Sequence, residues 1–207
     1  VIQAVNGPLE IVADALSNIG SITAEDGQQS VSTLVAGGDI TIDAQNMLNT
    51  EQAVIVSTQG DLSINVDHEL INADAAVLSG ANNTTLNVAG GTVTNEKNGL
   101  IAGHNVTINA SQLNNQVSGT TAARNDLNIH TDTFNNTSGI LEAGHDLLLK
   151  VKDSLILNDN SSDIHAGHDT TLSTEGSLFN NTMLEAIGNL TLHADGKVIN
   201  SKSVVTG

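Results

Sequence analysis

A short spelling recurs eight times along the chain: GDITID from Gly38, GDLSIN from Gly60, NNTTLN from Asn82, HNVTIN from His104, NDLNIH from Asn125, HDLLLK from His145, HDTTLS from His168 and GNLTLH from Gly188. Its second position is always Asp or Asn. These anchors are Asp39, Asp61, Asn83, Asn105, Asp126, Asp146, Asp169 and Asn189, separated by 22, 22, 22, 21, 20, 23 and 20 residues. A repeat of this length is one supersecondary unit that buries its apolar face only by stacking on its neighbours, so the chain is expected to be a solenoid.

The columns relative to the anchor say what kind. One and three residues after it stand Ile40 and Ile42, Leu62 and Ile64, Val106 and Ile108, Leu127 and Ile129, Leu147 and Leu149, and Leu190 and Leu192, with Thr84 and Thr170 as lapses. Between them runs a mostly hydroxyl column of Thr41, Ser63, Thr85, Thr107, Asn128, Leu148, Thr171 and Thr191. Alternation with period two is the pattern of a strand with one face inward. Five before the anchor lies a second apolar column of Leu34, Val56, Leu78, Leu100, Thr121, Leu141, Ile164 and Leu184. Three before it lies a small one of Ala36, Thr58, Gly80, Ala102, Ala123, Ala143, Ala166 and Ala186. A third apolar position precedes a recurrent asparagine, in Leu48-Asn49, Ile71-Asn72, Leu113-Asn114, Phe134-Asn135, Leu157-Asn158, Phe179-Asn180 and Ile199-Asn200. Three short strands per roughly 21 residues leave no room for a helix. The expected fold is all-β, a parallel β-helix of about 8–9 coils stacked at roughly 4.8 Å into a rod of about 40 Å.

Composition agrees. Two Phe, no Trp and no Tyr among 207 residues cannot fill a wide globular centre, whereas the Val, Leu, Ile and Ala columns fill a thin one, and a single Pro with 19 Gly suits strands and turns. A leucine-rich repeat shares the period, but its L-x-x-L-x-L-x-x-N pattern is not kept. Residues 1–30 read as a partial first coil carrying a longer loop, Ser17 to Ser30, and residues 31–207 as one continuous array. The loop is the candidate for a private function, because connections tolerate insertions.

Charge excludes some partners. Twenty-three acidic against six basic residues give a net charge of -17, which repels phosphate backbones and anionic lipids, so nucleic acid is not an expected partner. No apolar stretch of about 18 residues exists to span a bilayer, and the start does not resemble a signal peptide, so membrane insertion by this segment is not expected. The absence of cysteine leaves the compartment open.

The segments LEAGHDLLLKVKDSLILN (141 to 158) and LEAIGNLTLHADGKVINS (184 to 201) resemble the haemagglutinin repeats of filamentous haemagglutinin and of contact-dependent growth inhibition effectors. The resemblance covers roughly residues 31 to 207. It implies a right-handed β-helical filament, part of a large exoprotein exported by two-partner secretion and displayed at the surface of a Gram-negative bacterium. A stalk segment serving adhesion, or presenting a toxin to a neighbouring cell, is the function so implied, with the outer-membrane secretion transporter as a partner of the full-length protein. Neither the amino-terminal secretion domain of the family nor a toxin domain is recognisable, and a monomeric rod is expected. In the alternative reading, the segment itself binds a host glycan or a receptor on a neighbouring bacterial cell.

The stretch DIHAGHD (163 to 169) invites a metal or catalytic reading. In the stack, His165 lies four before the anchor, between Glu142 and Glu185, as one member of an outward ion column. His168 lies one before it, above His145. Stacked imidazoles in adjoining coils can share an ion, but the turn already explains the AGH(D/N) spelling, and spacing fixes no third and fourth ligand. No metal and no cofactor are therefore expected, with His145 and His168 as the one candidate pair. Anchor Asp and Asn are expected to bond turn amides, and the calcium nonapeptide is absent. Catalysis is not expected either: one arginine, Arg124, and one close lysine pair, Lys150 and Lys152, do not supply the basic partners that acid/base sites use. The hydroxyl column is interrupted at Asn128 and Leu148 and flanked by inward aliphatics, so it is no flat ice-binding array. The sequons at Asn83, Asn105 and Asn189 fall on anchors and follow from composition.

Overall fold

Because the apolar columns are contributed once per repeat, they meet only if each strand pairs with the strand one repeat away, and a computed structural model has that arrangement. It describes residues 1–20, 22–23, 29–157, 159, 161–201 and 205–206. Among the described residues there is no helix, and so none long and apolar enough to cross a membrane. Short strands such as Thr33–Ala36, Val54–Ser57, Val77–Gly80 and Leu100–Gly103 form a 10-stranded sheet, and longer ones such as Ile40–Thr50, Leu62–Asn72 and Asn105–Asn115 form a 9-stranded sheet. All pairings in both are parallel, between successive coils. The chain is a β-solenoid of about eight turns.

Up to Asn135 the second and third strand segments of a coil run on through their corner as one strand of 9 to 13 residues, with a register shift at the bend, as between Val88 and Thr92. From Leu147 they separate, five residues in Leu147–Val151 and three in Leu155–Leu157, and the latter begins a third sheet with Leu178–Asn180 and Val198–Asn200.

The first two inward columns after the anchor stack as read, and the core is aliphatic throughout. Thr84 and Thr170 also face inward, both fully buried. Their hydroxyls are satisfied at the next corner: Thr84 Oγ1 donates to the Ala102 carbonyl and accepts the Gly80 amide at 2.8 Å.

Three columns need correction. The inward residue before the turn is Ile55, not Val56, and Ile101, not Leu100; register aligns Leu34, Ile55, Leu78, Ile101, Thr121 and Leu141. The small column likewise runs through Ser57 and Gly103 rather than Thr58 and Ala102. Counting back from the anchor fails because the turn varies in length, with four residues between Ser57 and Leu62 but only two, His104 and Asn105, between Gly103 and Val106, the residue in register with Leu62. The asparagine column is displaced in part: Asn49, Asn72 and Asn180 lie inward as expected, whereas Asn115 and Asn136 take the inward place expected for Asn114 and Asn135. The inward pairs are Met47 and Asn49, Leu70 and Asn72, Val93 and Asn95, Leu113 and Asn115, and Leu178 and Asn180, each two apart, while Leu48, Ile71 and Phe179 lie on the outward face. Two adjacent apolar residues in a strand do not say which is inside. Asn158 lies outside the described residues.

These asparagines form a buried amide ladder. Asn18 donates to Asn49 at 2.8 Å, Asn49 to Asn72 at 2.8 Å, Asn72 to Asn95 at 2.9 Å, Asn95 to Asn115 at 2.8 Å and Asn115 to Asn136 at 2.7 Å. Spare amide protons reach backbone carbonyls, as from Asn95 to Thr120 at 2.9 Å. The carboxamide has a donor and an acceptor, so one residue type can continue the chain of bonds indefinitely. The turn that follows has two consecutive left-handed residues, as at Glu51 and Gln52 (φ 57 and 65°) or Val117 and Ser118 (φ 49 and 64°), and closes on a small residue. At Gly119 a Cβ would sit 2.1 Å from the Asn95 carbonyl oxygen, so the approach of the preceding coil admits no side chain there.

The loop is narrower than Ser17 to Ser30. Ser17 to Ile19 belong to the strand Leu9–Ile19 paired with Ile40–Thr50, and the excursion leaves after Gly20. Ile22–Thr23 and Gln29–Ser30 then pair antiparallel; residues 21 and 24–28 lie outside the described residues.

Candidate functional site

The corner that carries the anchors is held by its own side chains. Asp39 Oδ1 accepts the Asp61 amide at 2.9 Å, Asp61 Oδ1 the Asn83 amide at 3.0 Å, and Asp169 Oδ1 the Asn189 amide at 2.7 Å. At every step but one the anchor oxygen accepts the amide of the anchor one coil on, the exception being Asn105, whose amide donates to the Asn82 carbonyl at 3.0 Å; the position therefore calls for a short side chain ending in an oxygen. An Asn anchor also donates from its side chain, from Asn83 Nδ2 to Asp61 at 2.9 Å and from Asn105 Nδ2 to Asn83 at 3.0 Å.

His145 and His168 occupy this corner in adjoining coils. Gly144-His145-Asp146 joins Ile140–Ala143 to Leu147–Val151, and Gly167-His168-Asp169 joins Asp163–Ala166 to Thr170–Thr174. The His168 amide donates to the His145 carbonyl at 2.9 Å. A Cβ on Gly144 would meet the Arg124 carbonyl oxygen at 2.0 Å, and one on Gly167 the Gly144 carbonyl oxygen at 2.3 Å, so glycine before the histidine is what lets the turns nest. The rings stack with centroids 4.6 Å apart and planes 19° off parallel.

Asp146 lies between them. His168 Nδ1 is 2.8 Å from Asp146 Oδ1 and His145 Nδ1 is 3.3 Å from Asp146 Oδ2. Asp169 Oδ1 stands 3.6 Å from His168 Nδ1, and Asp126 Oδ1 3.4 Å from His145 Nδ1. The bond to Asp146, then the charge of Asp169, raises the His168 pKa; the same bond from His168 is the largest cause holding Asp146 below the usual carboxylate range. Asp169 is lowered chiefly by the Asn189 amide. Asp126 was not foreseen as a neighbour of His145, although three consecutive Asp anchors at 126, 146 and 169 were there to be read. The other anchor carboxylates, Asp39 and Asp61, are preceded by Gly38 and Gly60 and have no imidazole beside them.

His165 stands elsewhere. Register places it between Glu142 and Glu185, with Nε2 3.7 Å from Glu142 and Nδ1 3.3 Å from Asp163. The basic residues are not gathered: Arg124 lines one shallow hollow beside Glu142, while Lys150 and Lys152 line another with His130 and Asp132.

A family model described as haemagglutinin repeat matches residues 4–97, 79–150 and 101–207. Comparisons with curated proteins and with solved structures each returned no match. Three overlapping matches spanning nearly the whole chain agree with the coil-by-coil register described above. The chain belongs to the haemagglutinin repeat family.

Proposed function

We propose that this segment is a non-enzymatic stalk of a filamentous-haemagglutinin-like surface exoprotein, giving reach and rigidity to an adhesive or toxic region carried elsewhere on the same protein. The observation that carries the reading is the unbroken stack: the 10- and 9-stranded sheets run through every coil, and each coil bonds to the one before and the one after. A segment built this way transmits position along its axis, which is what a spacer does. Membership of the repeat family supports export by two-partner secretion to the surface of a Gram-negative cell. Folding from local contacts, coil on coil, suits a chain that leaves its partner pore unfolded.

A replacement experiment tests the role. Exchanging these coils in the full-length protein for the same number from an unrelated parallel β-helix should preserve attachment to target cells or delivery of the toxic region, and removing coils should shorten the filament. Loss of attachment on exchange, together with binding of the isolated segment to target cells or a glycan panel, would assign recognition to the segment itself. A variant lacking the Ile22–Ser30 excursion would then locate it.

A further inference from the structure

We propose that the His145–Asp146–His168 corner binds a divalent late first-row transition cation, zinc being the natural case, through the two imidazole Nδ1 atoms and the Asp146 carboxylate. One ligand atom from each of the three residues lies within 4.8 Å of the others. Zinc holds nitrogen and oxygen at about 2.0–2.2 Å, which puts neighbouring ligands of a tetrahedron roughly 3.3 Å apart. The Asp146 carboxylate already stands near that separation, with Oδ1 2.8 Å from His168 Nδ1 and Oδ2 3.3 Å from His145 Nδ1. Asp146 Oδ1 also accepts the Asp169 amide at 3.1 Å, which leaves Oδ2 for the ion. With the side chains about half exposed (52, 46 and 51%), water can fill the remaining positions.

Charge favours the same occupant. Asp126, Asp146 and Asp169 are stacked anchors, and none brings the side-chain amide by which Asn83, Asn105 and Asn189 donate to the anchor below. Between the three aspartates only backbone amides donate, at 3.3 and 3.1 Å. A divalent cation offsets this accumulation of charge, and two nitrogen donors select late transition ions over calcium or magnesium. Asp39 and Asp61 supply the internal comparison, stacked anchors with glycine where the histidines would be.

Titration of the metal-stripped chain with zinc by calorimetry is the test, with circular dichroism to confirm that each variant is folded. One ion per chain is expected. His145→Gln or His168→Gln should each weaken binding by roughly tenfold or more, since loss even of an outer-shell partner costs that much. Asp146→Asn should weaken it too, and the double histidine variant should abolish it. His193→Gln, one coil beyond His168 and on the outward face of the longer-stranded sheet, should change nothing. In the wild type and His193→Gln, but not in the double histidine variant, zinc should raise the melting temperature. Zinc uptake that survives in the double variant, or no uptake at millimolar zinc, overturns the assignment.

Discussion

Asn95 donates its side-chain amide to Asn115 at 2.8 Å and accepts from Asn72 at 2.9 Å, so one residue joins three coils through the interior. Asn95→Leu removes the acceptor of the shortest bond from Asn72 and the donor to both Asn115 and the Thr120 carbonyl, all in a buried column. Buried groups left without partners cost about 1–3 kcal/mol, and the midpoint of chemical denaturation should fall accordingly. The outer ladder from Asn109 to Asn87 at 2.9 Å is half-wet, so Asn109→Leu should cost less than about 1 kcal/mol. Equal losses at the two sites would contradict the difference in burial.

Leu141 is fully buried between Thr121 and Ile164. Leu141→Ala should cost about 2–5 kcal/mol, and Leu141→Asp more, because no counter-charge lies in that column. Leu148 occupies the outward hydroxyl column between Asn128 and Thr171, so Leu148→Thr should leave thermal melting nearly unchanged. Melting insensitive to Leu141→Asp would refute the inward assignment.

Val117 is β-branched, exposed, and held at φ 49°. Left-handed backbone costs such a residue roughly 1–2 kcal/mol, whereas asparagine adopts it readily. Val117→Asn should therefore raise stability by about 1 kcal/mol, read as a shift in the denaturation midpoint. A lower midpoint would show that the side chain contributes contacts that outweigh the strain.

Asp159 accepts from the hydroxyls and amides of both Ser161 and Ser138, and these bonds, Ser161 first, lower its pKa from 3.8 to about 2. A carboxylate lowered on folding stabilises the native state above its unfolded value and loses that contribution as pH falls through the folded one. Wild type should thus melt higher than Asp159→Asn at pH 5, with the gap closing between about pH 4 and 2. A gap that is constant over that range would mean the carboxylate charge plays no part.

How much of this was legible depends on what each residue type can say. The columns at one, two and three after the anchor were readable because strict alternation around Thr41, Ser63 or Thr107 leaves one possible face. The column before the turn was not, since Ile55 and Val56, or Leu100 and Ile101, are equally apolar and the turn between them and the anchor changes length. The amide ladder shows as a spacing, an apolar residue and then Asn two later, but Leu113-Asn114-Asn115 offers two asparagines and only the three-dimensional register chooses the second. The stacking of His145 on His168 followed from the repeat alone. The place of Asp146 between their Nδ1 atoms is a matter of side-chain rotation, which spacing does not encode.

Backbone hydrogen bonds between coils run along the stack and are donated in both directions, as from Leu9 to Asp39 and from Gly37 to Ala4, so the rod carries tension through them end on. A pull on the terminal coil loads its few rungs one after another rather than all together, and the coil peels away before the next is stressed. Each release yields 20 to 23 residues of slack, roughly 70 Å when extended. Pulled end on, a stack of such coils should therefore hold its length at low load and lengthen at higher load in steps of one coil, read as regular increments in a force-extension trace.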